Sequence, residues 1–106
     1  MTNKDFSNYI GGEWTTSAAT IENVNPSDTS DVIGHYASAS PEEALQAVDA
    51  AKKGFESWSQ SGLEARKAAL DMIGGELIAR SKELGTLLSR EEGKPLAEGI
   101  GEVARA

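Results

Sequence analysis

The stretch Glu91-Glu92-Gly93-Lys94-Pro95-Leu96 ends one helical pattern of apolar residues and begins another. Glycine is favoured just past a helix end because it reaches positive φ without a Cβ clash. Proline is favoured at the first helical position because its missing N–H leaves no bond unmade there. The sequence therefore predicts that Gly93 caps one helix and that Pro95 is the first residue of the next, which runs towards Ala106.

Three more helices are predicted upstream of this stretch. The first begins at Ser40-Pro41-Glu42-Glu43, which combines an N-cap serine, a proline at the first helical position and the glutamate of a capping box. Helices are also predicted from about Leu63 to Arg80 and from about Lys82 to Glu92. The first helix is expected to end near Trp58 and to carry one apolar stripe, formed by Ala44, Ala47, Val48, Ala51, Phe55 and Trp58 with Leu45 at its edge.

Glycine is unusually frequent within these helical patterns. A glycine costs roughly 1 kcal/mol relative to alanine in a helix interior. We therefore expect close packing against other elements, where a missing side chain lets two backbones approach. The glycines concerned are Gly54, Gly74, Gly75, Gly85, Gly99 and Gly101.

The first 39 residues predict short β-strands instead. Tyr9-Ile10 and Glu13-Trp14 flank Gly11-Gly12, which favours a hairpin because two-residue hairpin turns need positive φ. Two further strands are predicted over residues 20–24 and 32–37. The expected organisation is a polar leader over residues 1–8, anchored by Phe6, then short strands over 9–39 and helices over 40–106. The fold class is thus mixed α+β, and 106 residues suffice for one domain.

Composition narrows the classes of function. The net charge is −7 with no basic face, which argues against nucleic-acid binding. No apolar run approaches the roughly 20 residues of a membrane span, and the polar start Met1-Thr2-Asn3-Lys4-Asp5 does not resemble a secretory signal. We therefore expect a cytoplasmic protein with no membrane partner. The chain contains no cysteine, which excludes a disulfide, a thiolate metal site or a cysteine nucleophile within it.

Several short motifs match functional patterns only in their letters. Gly99-Ile100-Gly101-Glu102-Val103-Ala104 fits the dinucleotide fingerprint but lies inside a helical pattern, not after a strand. Gly93-Lys94 lacks the other residues of a phosphate-binding loop. A phosphate-binding Gly11-Gly12 would need a helix directly after it, but the residues that follow predict a strand. Glu91 and Glu92 are adjacent, so on a helix they would not face each other as a catalytic carboxylate pair. His35 has no carboxylate at a spacing that suggests a general base or a metal ligand. We predict no catalytic, cofactor-binding or metal-ligating residue in this chain.

The order of several motifs resembles the NAD(P)-dependent aldehyde dehydrogenase superfamily. Tyr9-Ile10-Gly11-Gly12-Glu13-Trp14 is similar to the family's N-terminal hairpin, and Val24-Asn25-Pro26-Ser27 to its Asn-Pro segment. Ala47-Val48-Asp49-Ala50-Ala51 with Phe55 and Trp58 resembles its first helix. Glu91-Glu92-Gly93-Lys94-Pro95 resembles its Gly-Lys-Pro signature. The match extends over about residues 8–106 and is nearest to the bacterial succinate and 2-oxoglutarate semialdehyde dehydrogenases.

The resemblance implies an enzyme much longer than this chain. In the family a cysteine thiolate attacks an aldehyde, a hydride passes to NAD or NADP, and a glutamate activates water to release a carboxylate. These groups lie downstream of the matched region, so no such residue is carried over. Some members hold a monovalent cation near the Asn-Pro and Gly-Lys-Pro motifs, and the nearest positions here are around Asn23, Val24 and Glu91; we assign no ligand.

Two hypotheses follow from the sequence. In the first, this is the N-terminal structural portion of an aldehyde dehydrogenase, one incomplete domain whose partners are the rest of that chain or further copies in a homo-oligomer. In the second, it is a stand-alone, non-catalytic helical binding or assembly module derived from that family. The second requires the four helices to form a core of their own.

Overall fold

The computed structural model describes residues 4–106, in which short strands precede four helices. This order confirms the mixed α+β prediction. The chain divides into two compact units, one formed by residues up to Asn23 with Val32–Ser61, the other by Val24–Asp31 with Gly62–Ala106. The elements are β1 (Asp5–Phe6), β2 (Asn8–Ile10), β3 (Glu13–Thr15), β4 (Ala19–Val24), β5 (Val32–Ser38), α1 (Pro41–Trp58), α2 (Leu63–Ala79), α3 (Ser81–Glu92) and α4 (Leu96–Arg105).

Strands β2 and β3 form the predicted hairpin. They pair antiparallel, with Tyr9 opposite Trp14, and the two rings lie 4.9 Å apart. Gly11 and Gly12 occupy the turn with φ of 62° and 88°. Both values are positive, as a two-residue turn with the natural strand twist requires. The hairpin prediction is confirmed.

The other sheet has the strand order β1-β5-β4. β1 pairs in parallel with β5, placing Asp5 opposite His35 and Phe6 opposite Tyr36, whose rings stack at 4.6 Å. β1 lies in the stretch predicted as a polar leader, because a two-residue parallel strand shows no alternation that a sequence could reveal. Residues 1–3 of that stretch lie outside the described part of the chain.

Helix α1 begins and ends at the predicted residues. The Ser40 hydroxyl accepts the Glu43 N–H at 3.1 Å, and the Glu43 carboxylate accepts the Ser40 N–H at 2.7 Å. The apolar stripe of α1 is exposed in the described residues, with Phe55 67% and Trp58 49% exposed. α1 instead meets the hairpin through Ala50, whose Cβ lies 3.6 Å from the position of a Cβ on Gly11.

Helices α3 and α4 touch through two buried glycines. A Cβ on Gly85 would lie 2.6 Å from Ile100 Cα, and one on Gly99 would lie 2.5 Å from the Gly85 carbonyl oxygen. The expectation of close packing is confirmed at these two positions. It is wrong for Gly54, Gly74 and Gly75, where a Cβ would meet nothing within 4 Å.

The start of α4 differs by one residue from the prediction. Pro95 has a ψ of 140°, which is extended backbone, so it is the N-cap and the helix begins at Leu96. The Pro95 carbonyl accepts the N–H groups of Glu98 and Gly99 at 3.0 and 3.2 Å. Gly93 ends α3 with a φ of 74°, as predicted.

The described residues bury little apolar surface. Among residues 4–106, the buried hydrophobic side chains are Ile33 and Val103, which are 7% and 9% exposed. Large apolar side chains on α1 and α2 remain open to solvent, up to 82% for Leu63. None of the helices in this part of the chain combines the length and apolar character that a membrane crossing requires.

We expect Ser40→Ala to destabilise the intact protein that carries this sequence by about 1 kcal/mol, because it removes the acceptor for an N–H at the start of α1. Urea unfolding followed by helical circular dichroism measures the change. Ser57→Ala is the matched control, since this exposed hydroxyl contacts only a carbonyl within the same helix. Equal midpoints for Ser40→Ala and the parent chain would contradict the role of the cap.

We expect alanine to have opposite effects at two helical glycines. Gly85→Ala forces a methyl group onto the Ile100 backbone and should destabilise by about 1–3 kcal/mol. Gly75→Ala enters open space and should stabilise by about 0.5–1 kcal/mol, because alanine loses less backbone entropy. Thermal unfolding of the two variants gives the comparison, and destabilisation of the same size in both would refute a close contact at Gly85.

Candidate functional site at the turn between α3 and α4

The turn after α3 packs on the segment of residues 24–31, which we call the Asn-Pro loop. Gly93 donates its N–H to Ser89 at 2.8 Å and closes the helix in the left-handed conformation. A Cβ on Gly93 would lie 2.8 Å from Ser27 Oγ and 3.1 Å from Pro26 Cγ. Glycine is therefore required here for two reasons: the backbone has a positive φ, and the Asn-Pro loop leaves no room for a Cβ.

The Asn-Pro loop is closed by its own polar groups. Asn25 donates its backbone N–H to the Asp31 carbonyl at 3.0 Å and its side-chain amide to the Asp31 carboxylate at 3.2 Å. The Asn25 side-chain oxygen accepts the Ser27 N–H at 2.9 Å, which is the Asx-turn geometry. The two ends of the loop are thereby held together.

Arg90, on the last turn of α3, contacts the Asn-Pro loop through a bidentate ion pair. Its Nε lies 2.9 Å from Asp31 Oδ2 and its Nη2 lies 2.6 Å from Asp31 Oδ1. The hydrogen bonds from Arg90, and next from Asn25, lower the pKa of Asp31 from 3.8 to about 2. The planar guanidinium matches both carboxylate oxygens at once, which fixes orientation as well as charge.

Lys94 joins the turn to α4. Its Nζ lies 2.5 Å from Glu102 Oε1 and 2.6 Å from Glu92 Oε2, and its side chain is only 17% exposed. Glu102 and then Glu92 raise the pKa of Lys94, while Lys94 lowers the pKa of Glu102. The Ser89 hydroxyl donates to the Lys94 carbonyl at 2.6 Å. Both the side-chain ammonium and the backbone carbonyl of Lys94 thus have bonding partners.

This arrangement positions polypeptide segments and uses its charged groups to do so. Arg90 forms an ion pair with Asp31, and Lys94 forms ion pairs with two glutamates. Both cationic side chains therefore bind carboxylates of the protein itself. Across residues 4–106 there is no group of three or more His, Cys, Asp or Glu side chains placed to hold a metal ion. The contacts at this site join the end of α3, the start of α4 and the Asn-Pro loop.

The motifs set aside in the sequence have definite positions in the fold. Gly99–Ala104 lies inside α4, with the N-cap Pro95 and not a strand before it. Gly11 and Gly12 form the hairpin turn. Glu92 pairs with Lys94. His35 lies on β5 between two carboxylates, a neighbourhood that sequence spacing did not reveal.

The Asp31–Arg90 pair is the feature of this site that sequence reasoning missed. The two residues are 59 positions apart, and neither lies in a motif that specifies a partner. The available signal was indirect: an aspartate closes the Asn-Pro loop, and an arginine occupies the last turn of a helix that ends in glycine.

The Asp31–Arg90 pair should give stability a defined acid dependence. Because the folded-state pKa of Asp31 is lower than its ordinary value, its contribution is present above about pH 4 and is lost as the pH falls towards about 2. The difference in urea midpoint between the intact protein that carries this sequence and its Asp31→Asn variant should therefore shrink across that window. Asp71→Asn, at an exposed pair within α2, is the control. A difference independent of pH would contradict the assignment.

Comparison with known proteins identifies the family. The model of the aldehyde dehydrogenase family matches residues 14–106. The chain is 38% identical over 103 residues to 1-pyrroline-5-carboxylate dehydrogenase 2 of Bacillus subtilis, covering 97% of this chain and 20% of that protein. It is 39% identical over 101 residues to the alpha-ketoglutarate semialdehyde dehydrogenase of Haloferax volcanii, covering 93% of this chain and 21% of that protein.

The fold agrees with the sequence. An NAD-dependent aldehyde dehydrogenase from Sinorhizobium meliloti superposes with a TM-score of 0.91 at 28% identity, covering 97% of this chain and 21% of that one. The chain thus spans about one fifth of the length of the relatives it matches. The sequence over residues 14–106 and the arrangement of strands and helices lead to one conclusion: the chain belongs to the aldehyde dehydrogenase family.

Proposed function

We propose that this chain is the N-terminal structural portion of an enzyme that oxidises an aldehyde to a carboxylate with NAD or NADP. Family membership and the one-fifth coverage of relatives support this proposal. The chain supplies no cysteine, so the thiolate that the family's chemistry needs comes from another part of the enzyme. We assign no cofactor binding to these residues alone.

The observation that carries the proposal is the uncovered apolar surface of α1 and α2. Exposed patches of this kind mark surfaces that pack against another element. On α1, Leu45 and Phe55 are 66% and 67% exposed, and on α2, Leu63 and Met72 are 82% and 72% exposed. A larger polypeptide that covers these helices explains both the exposed side chains and the small core.

The alternative, a stand-alone helical module, needs a core within the chain itself. The described residues bury Ile33 and Val103 and leave most other large apolar side chains partly or fully exposed. That burial is far below what an independent domain of this size uses to offset its conformational entropy. The observation therefore favours a portion of a larger enzyme.

A semialdehyde is the substrate class we favour. The Haloferax volcanii relative is named for an alpha-ketoglutarate semialdehyde, and its 39% identity covers 93% of this chain. We further propose a cytoplasmic, homo-oligomeric enzyme with no nucleic-acid or membrane partner. The rest of the polypeptide and the neighbouring copies are the partners that we expect to cover the exposed helices.

The intact protein that carries this sequence in cells is the object to test. We expect a mass about five times the 11.2 kDa of this chain, in line with the one-fifth coverage of relatives. The purified protein should reduce NAD or NADP in the presence of succinate or alpha-ketoglutarate semialdehyde. The 106-residue chain, assayed alongside, should form no reduced nicotinamide and should self-associate through its apolar helices.

Two results would contradict the proposal. One is a native mass equal to that of the short chain, together with a cooperative, monomeric unfolding transition. The other is a full-length protein that binds neither nicotinamide nor any aldehyde. Self-association of the 106-residue chain alone, without either result, agrees with the proposal.

A further inference from the structure

Helix α1 presents two sides of different character. On one side, Ala50 lies against the hairpin turn at Gly11, and Lys53 lines the groove between the turn and the helix. Phe55 follows Ala50 by five residues, which turns it about 140° round the helix axis and away from the hairpin. The side that carries Phe55 is apolar, and each of its large side chains is about half exposed or more. These side chains, which we call the Phe55 side, are Leu45, Val48, Phe55 and Trp58.

Lys52 places a positive charge within this apolar side. It follows Val48 by four residues and precedes Phe55 by three, and residues at these spacings are neighbours on a helix. Glu56, four residues further on, forms no ion pair with Lys52 in the described part of the chain. A cover that took the Lys52 ammonium out of water without a partner would be strongly unfavourable, because a buried unpaired charge loses its hydration. We therefore expect whatever packs on the Phe55 side to bring a carboxylate.

The size of the Phe55 side favours the same polypeptide over a second copy as its cover. Four partly exposed side chains on one helix offer on the order of 500 Å² of apolar surface per copy. A stable interface between separate chains buries about 800 Å² on each partner. A segment of the same polypeptide needs less area, because it pays no separate translational and rotational entropy on packing. The chain spans about one fifth of the length of its relatives, so under the proposed function such segments are available.

We propose that a segment from the remainder of the same polypeptide packs on the Phe55 side of α1 and places a carboxylate against Lys52. The inference rests on the proposed function and specifies the chemistry of the partner: apolar side chains that cover Phe55 and Trp58, with one acidic group among them. Helix α1 is then a middle layer, with the hairpin on one side and this segment on the other.

Cysteine labelling of the intact protein that carries this sequence tests whether the Phe55 side is covered. Val48→Cys introduces a thiol on that side, and Ser57→Cys is the matched control, because Ser57 lies two residues beyond Phe55 and so on the opposite side of the helix. Labelling by a maleimide is followed for each peptide by mass spectrometry. We expect the thiol at position 48 to react at least tenfold more slowly than the thiol at position 57. Equal rates would overturn the proposal.

The native mass of a Phe55→Ala variant tests which chain provides the cover. Since the cover belongs to the same polypeptide, the variant should keep the native mass of the parent protein while its thermal midpoint falls. A smaller native mass, or one that depends on protein concentration where the parent's does not, would identify a second copy as the cover and overturn the proposal.

Paired lysine variants test the carboxylate. Lys52→Met should lower the thermal midpoint of the intact protein by at least about 3 °C, because it leaves a buried carboxylate without its partner. Lys53→Met removes the same charge from the hairpin side of α1 and should change the midpoint by less than about 1 °C. Equal midpoints for the two variants, or a higher midpoint for Lys52→Met, would refute the carboxylate. Aldehyde-dependent reduction of NAD or NADP is measured on the same samples. Failure of these tests with activity intact would overturn this inference and leave the proposed function standing.

Discussion

The close approach of α3 and α4 is the constraint on which the second unit depends. At the crossing, a Cβ on Gly85 or Gly99 would fall within 2.6 Å of the facing backbone, so the absence of a side chain sets the distance between the helices. Such an approach maximises backbone contact but gains little hydrophobic surface. The connecting turn must therefore be specified by other means, and the polar groups around Gly93 supply them.

Charge, more than apolar burial, organises that turn. Lys94 and its two glutamates tie the turn to α4, and the bidentate pair between Arg90 and Asp31 ties the end of α3 to the Asn-Pro loop. These pairs are partly open to solvent, where single ion pairs contribute little. Their contribution is to orientation. The guanidinium that binds both carboxylate oxygens, and the ammonium that binds two glutamates, each fix the orientation of the segments that they join. This role suits a segment whose apolar helix surfaces remain exposed.

Local signals in the sequence were sufficient to predict the elements other than β1. The capping box at Ser40, the Gly11-Gly12 hairpin and the glycine end of α3 depend on residues within a few positions of each other, and the structure has all of them. Expectations that involved distant partners fared less well. The apolar side of α1 is a valid helical pattern, but its large side chains remain exposed in the described residues. β1 and its pairing with β5 depend on a register between segments about 30 residues apart. The two carboxylates near His35 come from two different strands.

The Asp31–Arg90 contact also constrains the order in which the chain acquires structure. Its two ends are separated by 59 residues, and closing a loop of that length carries an entropic cost that local contacts avoid. During synthesis, α1 and its cap can form as soon as the residues near Ser40 have emerged. The contact between the Asn-Pro loop and α3, although the loop precedes α1, must wait until Arg90 has been made. We therefore expect an early part of the chain to reach its final form only after later helices have been made.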